Sequence, residues 1–558
     1  AYALLSPVRF FYICSRMAIS HFGLHTLSIA VACALIILVS PATAQPGDFL
    51  RKVSRREVEA DLQTTLADLL RGSSAAANAR RFAIEASSWQ TFQALPKNEV
   101  GRLPPPAVRY IVHSYFAKEH GWLIKGLEPH GMQLNASDVH AMNILQDKVP
   151  LLVENLLEAR EANHGLVFDD VVVMIAVLEQ LMFDESITLL QAAFRLNGLS
   201  AEEQISEDML HTVLQSYLIL FGQGSKANLH NATYHQLLKQ SRKRPELEEF
   251  ERDAVLNFEF SQRHRTNPFV PRQYSFKSAA EIMERLAQQY GKWQNAECRD
   301  MKAHLMELDP EGLGRVPLGL FYAQPQGSAY HFSESLDYLR KIGALDEASI
   351  DKPKVIITNY VSGPSNCIAS SSYYSVCCLS ECDAIFTDLE KHILAPAASP
   401  ERLLTLVSNM SERALSQGLV DKLESIARRH GGQVPLHGRL FAQWLHFAFP
   451  HECPFPSIVA NSAALTPSEW LDGDKYASAD ERKKHIESSV ASAAPVEEEF
   501  EIGEMWSDYE VLPVLEHSRS PFIQFGSGVM RAVVQLAAVC VVVRSAFNAW
   551  RAASPSCE

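Results

Sequence analysis

The sequence predicts a mainly α protein: a multi-helix array, a small cysteine-rich segment with one or two strands, and a C-terminal transmembrane or amphipathic helix. Three observations predict it. Apolar residues recur at helical spacing through the first two thirds of the chain, six cysteines gather between Cys298 and Cys453, and an apolar run stands near each end. The 558 residues suffice for two to four domains of ~100–200 residues each. A composition 47% hydrophobic and 21% charged excludes disorder throughout and excludes a polytopic membrane protein. The net charge of -14 repels polyanions, so a general nucleic-acid binder is excluded too.

Taken in order, the chain opens on Ala1, and Met17 is the expected initiator. Leu24 to Val39 is almost wholly apolar and breaks at Ser40-Pro41 into Ala42-Thr43-Ala44, the form of a hydrophobic core followed by a cleavage site. Residues 1–44 are therefore expected to be a signal peptide, with maturation at Gln45. The segment between Met17 and the apolar run has no Lys or Arg, which leaves an uncleaved signal anchor as the alternative. A helical domain is expected over 45–165. Ser54 and Glu57 form a capping box ahead of Val58, Leu62, Leu66, Leu69 and Leu70, and Pro104 to Pro106 opens a second helix with Val108, Ile111, Val112, Tyr115 and Phe116 on one face. A second helical domain is expected over 166–345. Val167 to Leu178 is apolar but carries Asp169 and Asp170, is followed by Glu179, and is too short to span a bilayer, so it reads as a buried helix. Ser278 and Glu281 form another capping box before Ile282, Met283, Leu286 and Tyr290.

Lys354 to Tyr360, bounded by Pro353 and Ser362-Gly363-Pro364, reads as a strand inside a cysteine-rich α(+β) domain over 346–456. Residues 457–507 turn to Ser, Ala and Glu and read as an acidic flexible linker. Over 521–551 a C-terminal membrane helix and short tail are expected. Arg531 and Gln535 interrupt its apolar run, while Arg544 and Arg551 beyond it favour a cytosolic C-terminus. The alternative is an amphipathic helix lying on the membrane or on the folded domains. No repeat of solenoid period is visible.

From Ala193 the row AFRLNGLSAEEQISEDMLHTVLQSY resembles, without a gap, the first EF-hand of the calmodulin family. Ile205 takes the central hydrophobic position of the loop, and Leu210, Val213 and Leu214 fall on the exiting helix. Calcium draws on the first, third, fifth, seventh, ninth and twelfth loop positions, with Gly at the sixth. Those ligand positions hold Gly198, Ser200, Glu202, Gln204, Ser206 and Met209 here, and Glu203 replaces the glycine, so the loop is expected to be silent. Leu305 to Phe321 is a second similar unit: Asp309 and Glu311 fill the first two ligand positions, Gly314 the sixth position and Val316 the hydrophobic one. Leu313 and Leu320 occupy two further ligand positions, which leaves Asp309 and Glu311 as weak calcium candidates and no confident metal site. A helix–turn–helix pair without metal accounts for both units, and whether they pair with each other is open.

Cys298, Cys367, Cys377, Cys378, Cys382 and Cys453 fall in the part expected to be lumenal, where clustered cysteines are most simply disulfides of unassignable connectivity. Vicinal Cys377 and Cys378 are each expected to find a distant partner. A zinc site drawing on Cys377, Cys378, Cys382 and one of His392, His430, His437, His446 or His451 lacks standard ligand spacing. A thiol oxidoreductase would want C-x-x-C, and Cys378 to Cys382 is C-x3-C. Gly222 to Lys226 lacks phosphate-loop spacing, and Arg242-Lys243-Arg244 is followed at once by glutamates. Asn135, Asn231 and Asn409 open glycosylation sequons at about the number chance supplies. Together NYVSGPSNC, YYSVCCLSEC, GGQVPLHGRLFAQWLH and HECPFP resemble a group of large secretory-pathway proteins of single-celled algae. That resemblance implies architecture and no activity.

The expectation is thus a non-enzymatic, membrane-tethered interaction scaffold of the secretory pathway or cell surface, with its mass lumenal or extracellular, a protein partner and no cofactor. The alternatives are a lumenal calcium sensor with weak sites and a thiol- or metal-dependent lumenal enzyme.

Overall fold

The computed structural model describes residues 75–124, 165–456, 476–491 and 506–515, short loop stretches apart. The expected signal peptide, the Ser54–Glu57 capping box with its helix, and the 521–551 segment lie outside the described residues. Within them the protein is mainly helical, with three small antiparallel sheets.

The helices begin where local chemistry directs. Helix α1 covers Ala75–Ala94, and α2 covers Pro105–His120. The second starts with proline at its first position and stops at Gly121 in the left-handed conformation, burying Val108, Ile111, Val112, Tyr115 and Phe116. Helix α3 runs over Phe168–Leu196, so the apolar stretch after Val167 is only the first half of a 29-residue helix. Asp169 and Asp170 complement its N-terminal dipole.

Three helices follow, α4 (Glu207–Gln223), α5 (Ala232–Ser241) and α6 (Pro245–Gln262). The 32-residue α7 covers Phe276–Glu307. Its cap is Ser275, whose Oγ accepts from the Ser278 amide at 3.2 Å, so the helix begins ahead of the expected Ser278–Glu281 box. The reason is the preceding Tyr274, which is held in a bridge and fixes where extended chain ends. Gly291, midway along α7, meets the carbonyl of His120, and a Cβ there would run into that oxygen.

Beyond α7 the elements shorten: β2 (Arg315–Pro317), α8 (Leu318–Tyr322), α9 (Leu336–Lys341), β3 (Leu345–Asp346), β4 (Lys354–Ile356) and α10 (Ile357–Val361). The expected strand Lys354 to Tyr360 is thus a three-residue strand and a helical turn. Side chains anchor that turn: Thr358 donates to the Cys453 carbonyl, and the Asn359 amide donates to Gly343 and Phe455. Strand β1 is Trp122–Ile124, and β5 (Ile368–Ala369) and β6 (Tyr374–Val376) complete its sheet in the order β1-β6-β5. With Leu123 opposite Ser375, this sheet joins segments expected to belong to separate domains. Then come α11 (Glu381–Ile393), β7 (Ala397–Ala398), α12 (Pro400–Met410), α13 (Gln417–Arg429), β8 (Val434–Pro435) and α14 (Arg439–Ala448).

A pattern invisible in the sequence emerges from the bridges. Leu103 pairs with Leu166, Ile205 with Tyr274, Val316 with Val355, and Ala398 with Val434, each antiparallel. Every one of these residues leads into a helix, and seven are followed at once by the helix cap: Pro104, Val167, Ser206, Ser275, Pro317, Ile356 or Ser399. At Ile205–Tyr274, Val316–Val355 and Ala398–Val434 both members lie in loops between described helices, so helix–loop–helix units are joined there two by two through their loops. The two units singled out in the sequence do not pair with each other: Ile205 meets Tyr274, and Val316 meets Val355.

Two apolar clusters carry the later pairs. One gathers Leu403, Leu423, Ile426, Leu440, Phe441 and Trp444 from α12 to α14, and the other gathers Val316, Phe321, Leu339, Val355, Ile357 and Tyr360. Part of the expected flexible linker is ordered against them. Helix α15 (Ala479–Ala491) packs on α8, and Tyr476 just ahead of it bridges Glu334. Among the described residues, no helix is long and apolar enough to cross a membrane.

Candidate functional site

All six candidate cysteines meet where α7, the β6–α11 link and the end of α14 come together. They form three disulfides: Cys298–Cys378, Cys367–Cys377 and Cys382–Cys453, with Cα–Cα distances of 5.8, 4.1 and 4.6 Å. Cys367 and Cys377 stand one position outside the Ile368–Val376 register pair, so the β5–β6 ladder itself brings them together. Cys298 is on α7, and Cys382 lies in the first turn of α11. The vicinal pair therefore bonds in two directions, and the thiolates that a zinc site would need at Cys377, Cys378 and Cys382 are consumed. Among the described residues, no three His, Cys, Asp or Glu side chains gather to hold a metal ion.

The calcium candidates are placed apart in chemistry. Asp309 opens the loop before β2, where Oδ1 accepts from Leu313 N at 3.2 Å and Oδ2 from Gly314 N at 2.7 Å. Nε2 of His451 lies 2.9 Å from the same Oδ2. Burial would raise this carboxyl, but the hydrogen bond from His451 and the two amides hold it below the ordinary range. Asp309 thus closes its own loop. Gly314 takes φ +73° to present that amide and packs on the Pro450 carbonyl, where a side chain would collide. Glu311 points to Lys354 at 3.7 Å and remains exposed.

Beside this loop lies a charged centre that spacing did not reveal. Arg315 on β2 donates through Nε to Asp346 on β3 at 2.8 Å and through Nη1 to the Leu313 carbonyl at 2.7 Å. Its Nη2 lies 3.2 Å from Nε2 of His446, whose Nδ1 donates to the Cys453 carbonyl at 2.7 Å. Burial, then the charge of Arg315, depress His446 to about 3, so the ring is neutral and its Nε2 accepts. This chain of contacts links the Val316–Val355 pair to the Ala398–Val434 pair.

Two more buried carboxylate–histidine pairs lie deeper. Glu390 on α11 faces His437 Nε2 at 3.1 Å, accepts from Thr91 at 2.6 Å, and has Lys118 at 3.6 Å. Burial would raise Glu390, yet His437, Lys118 and Thr91 keep it low, while half-buried Asp383 is pushed up by burial to about 6. The other centre is Glu179 of α3. His120 Nε2 at 3.0 Å and the Tyr115 hydroxyl at 2.7 Å both meet Oε1, and Arg80 meets Oε2 at 2.7 Å. The side chains of His437 and Glu390 are only 2% and 0% exposed, and the pair ties α11 to the link before α14. The sequence signals for these centres were Glu179, the acidic residue that ends an apolar run, and His437, named as a possible zinc ligand.

Glu179 also makes the fold sensitive to acid. Burial raises it, but the His120 hydrogen bond, the Arg80 charge and Tyr115 outweigh that and lower it from 4.5 to about 2. A lowered carboxyl contributes stability above its unfolded value and loses it as pH falls through the folded one. The contribution, of order 3 kcal/mol, is therefore expected to be complete above about pH 4.5 and to vanish toward pH 2. Chemical denaturation across that range checks it: Glu179→Gln flattens the acid limb, and an unchanged limb would refute the assignment.

No family model, curated protein or solved structure matches this chain.

Proposed function

We propose that the protein is a non-enzymatic interaction scaffold of the secretory pathway, assembled from degenerate EF-hand-like units and tethered to a membrane by its C-terminal segment. The observation that carries this reading is the pairing of helix–loop–helix units through the apolar residue of each loop, with Asp309 committed to its own backbone and His451. Such loops keep the shape of a calcium-binding pair while spending the carboxylate on loop closure. Three disulfides in one region support an oxidising compartment. The buried state of the carboxylate–histidine pairs argues against an enzyme built on them.

Isothermal titration with calcium tests the reading. No heat is expected at micromolar calcium, and the melting temperature is expected to be the same in calcium and in chelator. Micromolar binding would replace the scaffold with a lumenal sensor. Protease treatment of intact microsomes tests the topology: the helical units are expected to be protected and the tail digested.

A further inference from the structure

The structure separates the three sequons of the chain. Asn135 lies outside the described residues. Asn409 stands in the last turn of α12, and Ser411, two residues on, is the half-buried C-cap whose amide donates to the Val407 carbonyl at 2.9 Å. Asn231 differs in both respects. It precedes α5 rather than lying within a helix, and Asn231, Ala232 and Thr233 are all exposed.

The fold also uses every polar group of Asn231 except one. Its backbone amide donates to Asn228 Oδ1 at 3.0 Å, and its carbonyl accepts from His235 N at 3.0 Å. Its Oδ1 accepts from Tyr234 N at 2.9 Å, which caps the first turn of α5. Among the described residues nothing bonds Nδ2, which is the atom that carries an N-linked sugar.

We propose that Asn231 is an N-glycosylation site, modified on Nδ2 by an oligosaccharide from a lipid-pyrophosphate donor in the lumen. In the transfer Nδ2 bonds to the anomeric carbon of the first sugar, and the bond from that carbon to the pyrophosphate oxygen breaks. The lipid pyrophosphate leaves with the electron pair, and Nδ2 gives up one of its two protons. The product remains an amide, so Oδ1 is still an acceptor and keeps the Tyr234 amide. The folded chain therefore carries the glycan without losing its cap. Exposed Thr233 completes the sequon, and Ala232 between them is not the proline that would forbid it. Glycosylation here rests on the secretory-pathway reading of the chain, because donor and transferase act on the lumenal side.

The test synthesises the full chain in the presence of microsomes, with protease added to one portion of the intact vesicles. The other portion is enzymatically deglycosylated in heavy-oxygen water, which converts a glycosylated Asn to labelled Asp, and is peptide-mapped. The protease-protected chain is expected to carry label at Asn231, and more there than at Asn409. Thr233→Ala, which leaves the Asn231 cap in place, is expected to lose the Asn231 label, and Thr233→Ser to retain it. A protected chain with Asn231 bare, more label at Asn409 than at Asn231, or label that survives Thr233→Ala would overturn the glycosylation and leave the secretory reading standing. A chain digested in intact microsomes with Asn231 bare would overturn both.

Discussion

Asp346→Ala is expected to destabilise the fold by about 3–5 kcal/mol, because it strands the Arg315 guanidinium, whose side chain is only 2% exposed. Neutral His446 cannot replace the lost charge, since its one donor is already given to the Cys453 carbonyl. The Ala348 amide also loses the Asp346 Oδ1 acceptor at 3.0 Å. Replacing both partners by apolar residues, Arg315→Met with Asp346→Leu, is expected to recover most of the loss, because the unpaired charge and not the missing attraction dominates the cost. Urea denaturation of Arg315→Met, Asp346→Leu and the variant carrying both measures the coupling. Simple additivity, or an Asp346→Ala variant within about 1 kcal/mol of the parent, would show that the pair does not hold these units together.

The second large effect is expected at Cys382–Cys453. This bond closes a loop of 71 residues of separation, and a loop of that size stabilises by up to about 4 kcal/mol through the unfolded chain. It ties the first turn of α11 to the loop five residues beyond α14, both packed on the cluster that contains Trp444. Cys453 also places its carbonyl where His446 and Thr358 both donate. The double variant Cys382→Ala with Cys453→Ala is expected to melt several degrees lower than the parent under non-reducing conditions. Removing Cys298–Cys378 is expected to cost less, since Asn295 and Lys302 back that contact. Reversal of this order would move the main staple to α7.

How much of this was legible in the sequence depends on range. The face of α2 was readable because Val108, Ile111, Val112, Tyr115 and Phe116 recur within one helix, and a helix is a local object. The strand at Lys354 to Tyr360 was half misread for the same reason. A run of β-branched residues suits a strand locally, but Asn359 and Thr358 are held by Gly343, Cys453 and Phe455, which no window of the sequence contains. The cap is Ser275 where the sequence suggests Ser278, because the bridge between Tyr274 and Ile205 lies outside any local pattern. Likewise the repeat of paired units escaped notice, since only one apolar residue and a helix cap recur while the loops between them vary.

By itself the sequence determined the helical class, the faces that turn inward and which cysteines stand near one another along the chain. These follow from periodicity and composition, which act over one or two turns. Only the tertiary structure decided which cysteine meets which, that Asp309 closes its loop against His451, and that Arg315, Asp346 and His446 form one centre. The charged partners are 31 to 142 residues apart, and what selects them is the cost of leaving a charge or a loop carboxylate unpaired once the surrounding helices have excluded water.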